Sequence, residues 1–482
     1  MKKTTTESKK AGITIFVAAF ILLWMTIAVP LYVENRYFNI LQAKGHAFDL
    51  GCIAGALLIA FSVLGNKYAA KLNPKASLTD AGIMILACTA IISCLLSGSF
   101  KTAFWGEQGW CVGGFAFLIA AFLYLYLSKS FYISQNVWLP VIAVNGFIFV
   151  IGLLHSVGID ALGPHNNINP RQFYQYISTI GNVNWFVGYL CLLMPMLACF
   201  YIESKSLGSQ IIYLVILVLG ELNMVLTGSD SLYLGIGVCA FFAIPYMFRS
   251  RSSAAKASTL VLIYGLSLML VSISSLFGEK RKIIDGISRA FLKPSVYVAA
   301  IAIGVLGIIV FYFMKEINAK KLLKVFIIIL EALLGTVVVF FIVKTMGSFD
   351  SSWGSGRGDI WMWSMELFRT LGPVQKTFGV GPEMLGPYYA ELPLDFPRRV
   401  LAAHSEPLQI LLSMGIAGII GWLLMWAGVI KSFFNKKLWK SPAIAFCLPL
   451  MAYLGQSMVN TPIATNVGIL IVMVSLFVYN SD

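Results

Sequence analysis

Apolar residues in this chain neither alternate with polar ones nor keep to one face of short helices. They come in unbroken blocks of roughly 16 to 25 residues, the length a helix needs to cross about 30 Å of hydrocarbon at 1.5 Å per residue. The blocks lie at 12–33, 50–65, 78–97, 109–127, 137–156, 183–203, 209–227, 231–248, 257–277, 294–314, 323–343, 404–430, 442–456 and 463–480, separated by polar or Gly/Pro-bearing connections. This pattern predicts an all-α polytopic membrane protein of 12–14 transmembrane helices. The first block follows a lysine-rich start, as a secretory signal does. It is long and lacks a small-residue cleavage pattern, so it reads as a retained span. In sequence order the chain divides into an N-terminal bundle of about eleven spans (1–343), a hydrophilic segment (344–403) and about three C-terminal helices (404–482).

Composition agrees: 59% of residues are hydrophobic and 12% charged, whereas a soluble domain is about a quarter charged. The net charge of +14 does not point to nucleic acid, because the basic residues sit in short loops between spans. With the N-terminus inside, cytoplasmic segments hold 20 Lys and Arg against 9 in the short outer loops, six more lying in 344–403. That bias places both termini in the cytoplasm. The loop 278–293 resists it, since Lys280, Arg281, Lys282, Arg289 and Lys293 fall outside. Either a span is miscounted there or the charge serves a ligand. The eight cysteines lie in or beside apolar blocks with no CxxC spacing and read as core residues. No cytoplasmic segment is long enough for a nucleotide-binding domain and no GxxxxGK[ST] loop occurs, so any energy for chemistry arrives with the substrate.

This topology puts all four histidines, His46, His155, His165 and His404, on the outer face with the segment 344–403. Within that segment a helix is expected from Asp359 to Arg369, with Ile360, Trp363 and Leu367 on one side and Arg357 just ahead of it. An arginine between Gly356 and Gly358 can approach a phosphate closely and offer it two donors. A helix N-terminus adds favourable potential for the anion. His404 precedes Ser405-Glu406-Pro407, a helix start at which Ser405 can cap. The positive potential there favours neutral imidazole, the form a general base requires. The same two residues also fit a solvated loop arginine and an interfacial histidine. Trp353, Trp361, Trp363, Tyr388 and Tyr389 suit either sugar stacking or packing at a membrane interface. No D-x-D or HxxxH pattern stands on the outer face, so no metal or other cofactor is called for.

The order Arg357-Gly358-Asp359-Ile360-Trp361, Gly379-Val380-Gly381, His404-Ser405-Glu406-Pro407-Leu408-Gln409 and Met414-Gly415-Ile416-Ala417-Gly418 resembles the characteristic block of the O-antigen ligase and polymerase superfamily. Gly181-Asn182-Val183-Asn184-Trp185, Ala103-Phe104-Trp105-Gly106 and the stretch from Ala452 to Asn460 are similar to further parts of it. In layout the resemblance covers 98–480.

It implies a GT-C-like, metal-independent membrane glycosyltransferase with one long extracytoplasmic loop, placed in a bacterial cytoplasmic membrane. The donor would be a glycan on undecaprenyl diphosphate and the acceptor another glycan, a lipid or a protein hydroxyl. His404 would be the base and Arg357 would hold the diphosphate, with acceptor or sugar contacts from Asp230, Trp361 and Glu406. The family's second arginine is replaced here by Thr227-Gly228-Ser229-Asp230-Ser231. Asp230 can pair with an arginine, bind an acceptor hydroxyl, coordinate a cation or simply cap a span. Arg281 and Arg289 are the candidates for the missing cation. Glu221 and Glu331 fall within spans, where a carboxyl group is costly and invites a functional reading. Two other readings are a multi-span transporter of a lipid-linked or anionic substrate and a relative of the shape and division peptidoglycan polymerases. No internal repeat supports the first, and the block around His404 is closer to the O-antigen group than to the second.

Overall fold

The computed structural model describes residues 2–64, 77–106, 110–130, 137–166, 168–274, 286–313, 324–325, 327–333, 335–336, 350–351, 353–392 and 400–481. Among them ten helices are long and apolar enough to cross a membrane: Gly12–Leu31, Ile40–Leu64, Leu78–Leu96, Trp138–Ser156, Val183–Glu203, Leu207–Thr227, Arg251–Ser274, Pro294–Phe313, Glu406–Asn435 and Ala464–Ser481. Three shorter apolar helices, Gly114–Ser130, Ser231–Met247 and Ile444–Ser457, account for three further hydrophobic blocks. About half of the block at 323–343, 337–343 above all, falls outside the described residues. The protein is a multi-pass, all-α membrane protein.

One helix starts well before its hydrophobic block. Ile40–Leu64 takes in Lys44, His46 and Asp49, which break the apolar run expected from residue 50. The helix tolerates Lys44 because its Nζ donates to the Pro30 carbonyl at 2.6 Å, which replaces a water partner inside the fold.

The chain forms two compact units, each discontinuous in sequence. The first comprises Met1–Val141, Asp350–Lys436 and Ser457–Asp482, the second Ile142–Phe349 and Lys437–Gln456. In the first unit, helix Glu406–Asn435 lies along Leu78–Leu96 at a spacing only glycine permits. A Cβ on Gly82 would come 2.6 Å from the Gly421 carbonyl oxygen. Membrane helices without a hydrophobic drive to associate commonly meet at such small-residue seams. Helix Ala464–Ser481 packs against Gly114–Ser130 in the same unit. In the second unit, Arg251–Ser274 pairs with Pro294–Phe313, Val183–Glu203 with Leu207–Thr227, and a two-stranded hairpin pairs Tyr176–Ile177 with Gly181–Asn182.

Candidate active site

The segment after residue 350 is folded, with helices at Trp353–Thr370, Pro373–Phe378 and Leu385–Ala390. They close over a small core that includes Leu367, Leu371, Val380, Leu385, Ala403 and Leu412. The buried stripe of the first helix runs through Ser364 and Leu367 and continues to Leu371 just beyond its end, with Ile360 and Trp363 at its margins. The Ser364 and Tyr389 hydroxyls are hydrogen-bonded at 2.7 Å, and the Tyr388 hydroxyl accepts from Gln375 at 3.3 Å. Both tyrosines therefore pack within the segment itself.

The first helix begins before Arg357, not after it. Gly354 and Gly356 have φ of +61° and +91°, so the regular right-handed path starts only beyond Gly356, and Arg357 leaves the chain at that point. A Cβ on Gly358 would sit 2.0 Å from the Asp350 carbonyl oxygen, because the chain at 350–351 crosses the helix start there and Ser351 accepts the Asp359 N–H. The glycines flanking Arg357 are thus demanded by the turn that presents it. The guanidinium is held at two points: Nη1 donates to the Gly354 carbonyl at 3.0 Å and Nη2 to Asn460 Oδ1 at 3.2 Å. Asn460 is 5% exposed and comes from the stretch ahead of the last helix.

His404 stands two residues before helix Glu406–Asn435 with φ of +47°, a left-handed conformation that non-glycine residues seldom adopt and that often marks a functional site. Ser405 occupies the N-cap position, but its side chain makes no capping bond. Gln409 instead ties down the chain ahead of the helix, its Oε1 accepting the Ala403 N–H at 2.9 Å, while its own N–H makes the first helical bond to the Ser405 carbonyl at 2.8 Å. The imidazole meets the Trp110 ring edge to face, with centroids 5.8 Å apart. Burial first, and the Arg357 charge second, push its pKa from 6.5 down to about 4. At neutral pH His404 is an uncharged base within the field of a fixed arginine.

The glycine-rich motifs have a shared structural cause. Helix Glu406–Asn435 is broken at Gly415 (φ +69°, ψ −166°), which strips the Leu412 and Ser413 carbonyls of their helical partners. The N–H groups of Val380 and Gly381 take those two carbonyls at 3.0 Å each, and Ser93 Oγ also donates to Ser413 at 2.5 Å. The two backbones approach so closely that a Cβ on Gly379 would lie 2.2 Å from the Ser413 carbonyl carbon, and one on Gly415 would lie 2.3 Å from that of Thr377. The kink thus docks 378–381 on the helix that begins beside His404.

No family model matches the chain, and no curated protein matches it significantly.

Sequence reasoning passed over Glu383. It has φ of +61°, is 7% exposed, and its carboxylate accepts the N–H groups of Trp110 (2.7 Å) and Val112 (3.3 Å). Between them Cys111 is also left-handed, at φ +57°, so the turn 110–112 wraps the carboxylate as a backbone nest. Burial pushes the Glu383 carboxyl up to about 7, against the pull of the two N–H groups. Through Trp110, Glu383 positions the ring that abuts His404. Only the adjoining Gly-Val-Gly-Pro string hints at it in the sequence, because its partners lie some 270 residues earlier.

The other expected site residues divide between the two units. In the first, Glu406 is 5% exposed and its Oε1 accepts the Trp422 indole N–H at 2.8 Å. Trp361 packs against Trp353 with ring centroids 5.0 Å apart. In the second, Asp230 accepts the Ile287 N–H (3.1 Å) and both the N–H (2.8 Å) and hydroxyl (3.0 Å) of Ser288, which caps helix Gly286–Phe291. Arg289 is exposed in the last turn of that short helix. Arg281 lies outside the described residues.

A second cluster of chemistry-bearing groups lies at His155, Asp160 and His165, whose ligand atoms gather within 4.8 Å. Asp160 Oδ1 is 3.5 Å from His155 Nε2 and 3.4 Å from His165 Nδ1. His165 is dressed as a metal ligand, its Nε2 facing the carbonyls of Phe173 and Tyr176. His155 is not. Its Nδ1 accepts the Ser178 N–H at 3.0 Å, so the ring proton of the neutral form sits on Nε2. That tautomer has no lone pair on Nε2 to give a metal, and the ring bonds that are formed tie His155 to Ser178 and His165 to the carbonyls of Phe173 and Tyr176.

Proposed function

We propose that the protein transfers a glycan from an undecaprenyl-diphosphate carrier to an acceptor hydroxyl at the outer face of the bacterial cytoplasmic membrane, with both termini in the cytoplasm, as a surface-polysaccharide polymerase or ligase. The observation that carries this reading is the pairing of Arg357 with His404, which come together within one unit although 47 residues separate them. The acceptor oxygen attacks the anomeric carbon as His404 takes its proton, and the bond from that carbon to the carrier phosphate breaks. The departing diphosphate gathers negative charge, and Arg357, its fork already oriented, meets that charge where it develops. A neutral, mostly buried imidazole is the form such a base requires.

The test is His404→Ala beside Arg357→Ala in the native host, with membrane insertion verified, scoring surface polysaccharide and carrier-linked glycan. Loss of a positioned base costs typically 10²–10⁴ in rate. The expected result is therefore loss of polymer with accumulation of the carrier-linked precursor. Unchanged polymer from well-inserted variants removes this mechanism and returns the transporter reading to the front.

A further inference from the structure

Five helices of the second unit, Val183–Glu203, Leu207–Thr227, Ser231–Met247, Arg251–Ser274 and Ile444–Ser457, enclose a cavity of about 320 Å³. Its wall follows one helix from Leu232 to Met247, about 22 Å at 1.5 Å per residue. A volume of that size drawn out over that length is one hydrocarbon chain wide. Small side chains, among them Ala198, Ala240, Ala243 and Ala257, make the room. The cavity reaches the surface of the unit beside Val261, which lines it and is 39% exposed, so the bilayer has sideways access.

Among the described residues that line it there is no Lys, Arg or His, and one acid, Glu221. Glu221 is 7% exposed and its Oε2 is buried without a hydrogen-bond partner. The Tyr264 phenol lines the same end, within electrostatic reach of the carboxyl. An unsatisfied carboxyl group inside a membrane is costly, and no lining group, Tyr264 included, donates to Glu221 Oε2, so a donor brought by a ligand is what the carboxyl calls for. A phosphate headgroup does not fit, since it would face a carboxyl with no cation to offset it. The diphosphate donor proposed above is excluded on the same ground. Bulk is limited too, because Glu221 lies about 9 Å inside the helix end at Thr227.

We propose that this channel binds a slender single-chain amphiphile, a long-chain alcohol or amine, which enters sideways from the bilayer and sets its one donor group on Glu221. The purified protein in phosphatidylcholine nanodiscs is irradiated with hexadecanol, hexadecylamine or a phosphatidylcholine, each carrying a diazirine in its chain, and the labelled peptides are mapped. The alcohol or the amine labels Val183–Glu203 and Ser231–Met247, and the phosphatidylcholine does not. Glu221→Leu lowers labelling roughly fivefold or more, the loss of one buried hydrogen bond. Glu221→Gln separates the two chemistries by keeping the alcohol and losing the amine. Ala240→Trp fills the channel and abolishes labelling in monodisperse protein, and Ala243→Leu serves if that variant does not insert. Equal labelling by the phosphatidylcholine overturns the proposal, as does labelling indifferent to both Glu221→Leu and the filling variants.

Discussion

Replacing Arg357 with glutamine separates the two influences that keep His404 neutral. A histidine held near 4 instead of 6.5 favours its neutral form in the fold by about 3 kcal/mol, at 1.36 kcal/mol per pH unit. Because the folded pKa is depressed, that stability is fully present above pH 6.5 and is lost as pH falls from 6.5 toward 4. Burial is the larger cause and the Arg357 charge the smaller. Arg357→Gln therefore raises the midpoint above 4 but leaves it below 6.5, and it shrinks the acid-side loss of stability accordingly. With four histidines in the chain, ring-¹³C-histidine NMR in detergent micelles resolves the titration, and His404→Asn assigns the signal. A wild-type midpoint at or above 6.5 refutes the burial argument. A midpoint that Arg357→Gln leaves unchanged refutes the coupling between the two residues.

Two further predictions concern the frame around the site. Gly415→Ala must hold a conformation that costs a non-glycine residue roughly 1–3 kcal/mol and push back the Thr377 carbonyl carbon, 2.3 Å from the new Cβ. It also weakens the two backbone bonds from Val380 and Gly381 to Leu412 and Ser413, worth about 1 kcal/mol each, so thermal unfolding in detergent falls by several degrees, and an unchanged transition contradicts the docking of 378–381 on the kink. Glu383, raised to about 7 from 4.5, contributes stability that is present below pH 4.5 and is lost as pH rises from 4.5 to 7, about 3 kcal/mol in all. His404 slopes the other way over much of that range, so the difference between wild type and Glu383→Gln isolates the term, and a difference that does not vary with pH overturns it.

The hydrophobic blocks were legible because a membrane helix must satisfy its backbone internally and cover itself with apolar side chains, so length and hydropathy alone mark it. Ile40–Leu64 escaped full detection because Lys44 finds a carbonyl at Pro30, a partner no local window shows. Arg357 and His404 stood out through their glycine and helix-start surroundings. What holds them did not: Asn460 is 103 residues from Arg357, and Glu383 reaches Trp110 across 273. The break at Gly415 is hidden for a related reason. A glycine inside an apolar run reads as a packing residue until the segment that takes the freed carbonyls is known. The helix-terminus argument for His404 reached the right protonation direction through a different cause, since burial and Arg357 dominate.

The first unit takes its last piece from Ser457–Asp482, and Arg357 rests on a residue of that piece. A ribosome that has passed His404 but not yet reached Asn460 has therefore emitted both the arginine and the histidine without yet emitting the support for the arginine. The unit cannot close around the arginine until the segment carrying Asn460 has emerged. Chains that stall before Asn460 would carry an unseated arginine, so the arrangement ties the seating of Arg357 to the emergence of a segment 103 residues further on.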